Sequence, residues 1–112
     1  MEVSNEAADG VALCRIVGKI DALTGPNLQA DAVSAINRGN PRIIFDMREV
    51  TYISSAGLRA IVLTAKHAKA ANGGLAVFGL QPAISEVFEI AGLRTIIPIA
   101  SNEAEARSKL GA

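Results

Sequence analysis

Two adjacent hydroxyls, Ser54 and Ser55, stand just before Ala56-Gly57 and a stretch whose apolar residues recur at helical spacing. Serine in that position can attack a substrate, cap the helix or accept a phosphate. Nucleophilic attack is poorly supported. The strained strand-to-helix elbow of hydrolases needs glycine two residues before the serine, where this chain has Tyr52 or Ile53. A general base would have to be His67, the one histidine, and it falls within the predicted helix as a surface or half-buried residue. With a single histidine and a single cysteine no His/Cys metal cluster is expected, so neither a metal nor a cofactor is assigned. Gly73-Gly74 followed by Gly79 lacks the spacing of a dinucleotide loop, and no P-loop lysine motif occurs. The chain is therefore expected not to be an enzyme. Capping and phosphate acceptance both remain, because unpaired N–H groups and the positive end of the dipole at a helix start suit a side-chain oxygen and an added anion alike. Residue type alone favours the plain cap.

The elements that must position these serines follow from periodicity. Residues 1–5 read as a short strand, Ala8-Asp9-Gly10 as a turn, and residues 11–17 as the second arm of an opening hairpin. A helix is signalled from Thr24, with a capping hydroxyl, Pro26 in the first turn and a stripe of Leu28, Ala32, Ala35 and Ile36; Gly39-Asn40-Pro41 stops it. A buried strand is expected at Ile43 to Asp46, then a polar connection and a β-prone stretch from Val50 to Ile53. The helix after the serines runs from near Ser55 to about Ala71, with Leu58, Ile61, Val62, Ala65 and Ala68 on one face and Arg59, Lys66 and Lys69 elsewhere. Beyond Asn72-Gly73-Gly74 come a strand at residues 75–78, a helix from Pro82 closed by Gly92, a last short strand at Thr95-Ile96-Ile97, and a final helix capped by Ser101 or Asn102 and reaching Leu110. Alternating strands and helices on short loops imply an α/β fold, a mixed sheet with an N-terminal hairpin and about four packed helices.

Composition narrows the function classes. Half of the 112 residues are apolar, enough for one core and too few for two, so residues 1–112 are read as one domain. Eleven basic and eleven acidic residues cancel, which provides no field for nucleic acid or an anionic membrane. No segment reaches the length of a membrane span, and the N-terminus lacks a basic region followed by a long apolar stretch, so a cytoplasmic location is expected. Cys14 lies in an apolar run, reads as a small buried hydrophobe, and has no partner for an internal disulfide.

The segment from Ile43 through Phe45-Asp46-Met47 and Tyr52-Ile53-Ser54-Ser55-Ala56-Gly57-Leu58-Arg59 resembles the signature of bacterial anti-sigma factor antagonists, the STAS domains. Gly18-Lys19-Ile20-Asp21 with Thr24 is similar to that family's turn before its first helix. Gly73-Gly74-Leu75, Pro82 to Phe88 and Ala91-Gly92-Leu93 are similar to its later segments in the same order, so the likeness covers nearly the whole chain. The resemblance implies a STAS fold and a phosphoacceptor at Ser55, two residues before Gly57. It further implies two partners, an anti-sigma factor that is itself a serine kinase and a serine phosphatase. The unphosphorylated form would bind the anti-sigma factor and free the sigma factor. Many members carry Asp immediately before the acceptor, where this chain has Ser54. The partner surface implied comprises Asp21, Thr24, Ser54, Ser55, Ala56, Gly57 and Arg59. Asp21 and Thr24 would serve equally to fix a turn and cap a helix. Asp46 either orients the serine loop through backbone hydrogen bonds or caps a strand end. A scaffold or transporter-associated STAS subunit with another output is the alternative.

Overall fold

The computed structural model describes residues 1–112. Five strands form one sheet in the order β1-β2-β3-β4-β5. β1 (Glu2–Ala8) and β2 (Val11–Ile20) make the expected antiparallel hairpin, while β3 (Arg42–Ile53), β4 (Gly74–Phe78) and β5 (Ile99–Ala100) continue the sheet in parallel. The parallel steps are bridged by α1 (Gly25–Asn37), α2 (Ser55–Ala70) and α3 (Pro82–Ile90), and α4 (Glu103–Lys109) closes the chain.

Strand alternation sorts the side chains onto two faces. Ala12, Cys14 and Ile16 of β2 and Ile43, Phe45 and Met47 of β3 pack with Leu28, Ala32 and Ile36 of α1, Ile61 and Ala68 of α2 and Phe88 of α3 in the main core. The alternate residues Val11, Leu13, Ile44, Ala76 and Phe78 meet Ala106 of α4 in a smaller cluster on the opposite face. At about 25 cal/mol per Å² of apolar surface, the larger of these layers supplies most of the drive to fold.

The sequence reading differs from the structure in three places. β3 does not end at Asp46 but runs on to Ile53 against β2, with an extra β3 residue inserted between the Arg15 and Val17 pairs and again between Gly18 and Lys19. Each bulge changes the spacing of buried residues from two to three, so Met47, Val50 and Ile53 all face the core while Arg48, Glu49, Thr51 and Tyr52 face out. A period-two search therefore reads this segment as a polar loop. The stretch Thr95-Ile96-Ile97 is not a strand: Leu93–Thr95 forms a single 3-10 turn after Gly92, whose φ of 69° reverses the chain, and β5 follows as two residues. Ile97 is fully buried, so its apolarity serves packing. Thr24 precedes α1 without a side-chain cap bond; its hydroxyl accepts from the Asp21 N–H at 2.9 Å and has two acceptors within reach of its one proton, the Lys19 carbonyl at 2.9 Å and Asp21 Oδ1 at 3.1 Å.

Candidate functional site

β2 and β3 end side by side, with Ile20 paired to Ile53, and the Ser54 N–H donates to the Ile20 carbonyl at 3.0 Å. The turn after β2 and the loop after β3 are therefore neighbours. Asp21 organises the first: its Oδ1 accepts from the N–H groups of Leu23 and Thr24, both at 3.0 Å. Those bonds, the Thr24 N–H foremost, hold the Asp21 carboxyl below the usual carboxylate range. This stiffened turn displays Leu23 with 81% of its surface exposed, an unusual outlay of apolar area for a loop.

The second loop divides its two serines. Ser54 is half-buried and caps α2, its Oγ accepting from the Gly57 N–H at 3.0 Å. Ser55, the first residue of α2, is exposed, and its hydroxyl makes no hydrogen bond within the protein. By position, the N–H groups of Ser55 and Ala56 have no intrahelical acceptor. One serine is structural and its neighbour is free.

Gly57 makes this arrangement possible. A Cβ there would stand 2.8 Å from the Ile20 carbonyl carbon, so α2 can start against the end of β2 only with glycine. Gly25 faces the same junction, where an added Cβ would lie 3.1 Å from Ala60 Cβ. Small residues thus bring the first turns of α1 and α2 together, and a shallow groove of about 200 Å³ between them is lined by Ala22, Pro26, Gln29, Ala56, Arg59 and Leu63.

Asp46 lies elsewhere. It is seven residues upstream of Ile53, about 20 Å along an extended strand. Its carboxylate accepts from Arg15 Nε at 3.1 Å, from Arg48 Nη2 at 2.8 Å and Nε at 3.0 Å, and from the Arg48 N–H at 3.2 Å. The Arg48 side chain is the main cause of its lowered pKa, acting against burial. None of these bonds reaches the serine loop: Arg15 ties Asp46 across to β2, and Arg48 binds it from within β3 itself. Arg48 also stacks over Phe78, 5.6 Å from the ring centre. Cys14 is equally remote from function: burial pushes its thiol up to about 12, with Asp31 adding to the effect, so the reactive thiolate is scarce near neutral pH.

A sequence profile of the STAS domain matches residues 2–106. BtrV of Bordetella bronchiseptica, assigned as an anti-sigma factor antagonist, is 32% identical over 102 residues, which span 91% of this chain and 88% of BtrV. The chain belongs to the STAS-domain family of anti-sigma factor antagonists. Solved members share the fold. A Thermotoga maritima protein assigned as an anti-sigma factor antagonist superposes with a TM-score of 0.88 at 18% identity, covering 98% of this chain and 95% of its own. Bacillus SpoIIAA in its phosphorylated form superposes with a TM-score of 0.73 at 20% identity, covering 96% and 98%.

Within this STAS fold, the sequence-predicted residues Asp21, Thr24, Ser54, Ser55, Ala56, Gly57 and Arg59 gather at one end of the sheet, and Asp46 does not join them. Gly57 is buried, so it shapes the surface without offering any to a partner. Tyr52 and Ile53 part company, the first 51% exposed beside the loop and the second buried beneath it. Leu23, Pro26, Gln29 and Leu63 were not assigned to this surface from the sequence, where Pro26 signalled only a helix start. Only an apolar residue inside a polar turn, Leu23 after Asp21, signalled any of them.

Proposed function

We propose that the unmodified protein binds a serine-kinase anti-sigma factor through the surface around Ser55 and so frees a sigma factor, acting by binding rather than catalysis in the cytoplasm. The kinase transfers the γ-phosphoryl group of ATP to Ser55 Oγ, and a serine phosphatase removes it. The observation that carries this reading is the division of labour between the two serines: Ser54 is engaged as a cap, whereas Ser55 presents an unbonded hydroxyl at the start of a helix. Leu23, Tyr52 and Leu63 add exposed apolar area around it. The family likeness to anti-sigma factor antagonists supplies the class of partner.

Phosphorylation brings close to two negative charges and a firmly held hydration shell into a contact fitted to a neutral hydroxyl. The helix N-terminus tolerates that charge, a favourable interaction of about 0.3–1 kcal/mol at an exposed site, so the domain stays folded while the interface is lost. Calorimetric titration of a kinase-type anti-sigma factor should show Ser55→Asp and enzymatically phosphorylated protein binding more weakly than wild type. Equal affinity for all three would refute the switch.

A further inference from the structure

At the far end of α2, about 20 Å from Ser55, a cleft of about 420 Å³ opens between that helix, the start of β4, the link into β5 and the end of α4. Leu75, Ile96 and Leu110 give it apolar walls, and Ile96 leaves 54% of its surface exposed there. Lys66, Lys69 and Lys109 are the charged residues of the lining, which holds no carboxylate. The ion pairs of the molecule involve Arg15, Arg48 and Arg107, so none of these three lysines is neutralised by a carboxylate. Lys69 and Lys109 lie in the last turns of α2 and α4, where a cation offsets the negative ends of the helices. That role requires neither a shared cleft nor an apolar wall. A concave apolar surface with convergent charge of one sign is the arrangement that binds a small amphiphilic ligand.

We propose that this cleft is a second binding site, taking a free anionic amphiphile whose carboxylate or phosphate head meets Lys66, Lys69 and Lys109 while its apolar chain lies against Leu75, Ile96 and Leu110. The site stands apart from the Ser55 surface and does not depend on its function. Charge complementarity selects the head group.

Titration of the isotopically labelled 112-residue chain with decanoate, followed by amide NMR shifts, tests the assignment. Decanol and inorganic phosphate run alongside, as do vesicles containing phosphatidylglycerol. The expected result is saturable shifts at Lys66, Lys69, Gly74, Ile96 and Leu110 with decanoate, weaker binding of decanol, and weaker binding still of phosphate. The triple variant Lys66→Ala/Lys69→Ala/Lys109→Ala should bind decanoate about tenfold more weakly, and Ile96→Ser should also weaken it. All four positions are exposed, so folding is preserved. Absence of shifts at these residues, equal affinity for decanol and decanoate, or unchanged binding by the triple variant would overturn the proposal. Vesicle binding that needs the lysines, without a response to decanoate, would overturn it in favour of a membrane surface.

Discussion

β3 carries one of the molecule's two most informative polar groups and leads into the other, and the two are built on opposite plans. Near its middle, Asp46 is only 2% exposed and engages Arg15 across on β2 and the side chain and N–H of Arg48 on its own strand, so all its bonds are spent on the scaffold. Just past its end, Ser55 is exposed and bonded to nothing, on a turn held by its neighbours. The strongest electrostatics therefore belongs to the scaffold, and the proposed switch sits beside a helix start whose side-chain cap is supplied by Ser54, which leaves the Ser55 hydroxyl free. A perturbed pKa is a candidate marker of function, but here the lowered carboxyls of Asp21 and Asp46 mark rigidity.

The largest effect expected from disturbing this contrast comes from Gly57→Ala. Its methyl must push into the Ile20 carbonyl, and overpacking of this kind costs about 1–3 kcal/mol. Urea denaturation should show a loss near the top of that range, and a neutral result would mean that the α2–β2 junction is loose. Asp46→Asn should cost about 1.5–3 kcal/mol through weakened charge-assisted hydrogen bonds. Because the folded-state pKa of Asp46 lies below its unfolded value, its contribution is present above the ordinary carboxylate range and is lost as pH falls through the folded value. The stability difference between wild type and Asp46→Asn should therefore shrink as pH falls below about 4, and a difference constant across that range would show that the charge is not responsible. Ser54→Ala removes the cap of α2 and should cost about 1 kcal/mol, read from the same denaturation curves. Ser55→Ala should change stability by no more than about 0.5 kcal/mol, while mass spectrometry after incubation with the cognate kinase and ATP should find no phosphate. A stability loss as large as that of Ser54→Ala would erase the distinction between the two serines.

Much of this contrast was legible in the residues. The helix after Ser54, the hairpin and the small-residue start at Ala56-Gly57 all follow from spacing, whereas the acceptor position at Ser55 is proposed from family likeness. The position of Asp46 was not, because two bulges break the alternation that reveals strands, and the polar residues they turn outward imitate a loop. Thr95 to Ile97 failed for the converse reason: apolar residues in a row suggested a strand, yet Ile97 plugs the core from a turn. Leu23 and the α1–α2 groove arise only when separate segments meet, so no local pattern announced them.

β4 accompanies β3 only from Arg42 to Asp46, and beyond that point β3 has β2 as its sole partner. β1 leaves β2 after Val17, so the serine loop is carried on a two-stranded ribbon, residues 18–20 against residues 50–53, fastened to the helices along one face by Val50 and Ile53. Two-stranded ribbons are the least self-sufficient form of sheet. Their amides open by local fluctuation more readily than those of a strand flanked on both sides. Hydrogen exchange should accordingly run faster in residues 50–53 than in residues 43–46, making the ribbon a mechanical buffer that lets its tip be modified, gripped and released while the five-stranded body remains undisturbed.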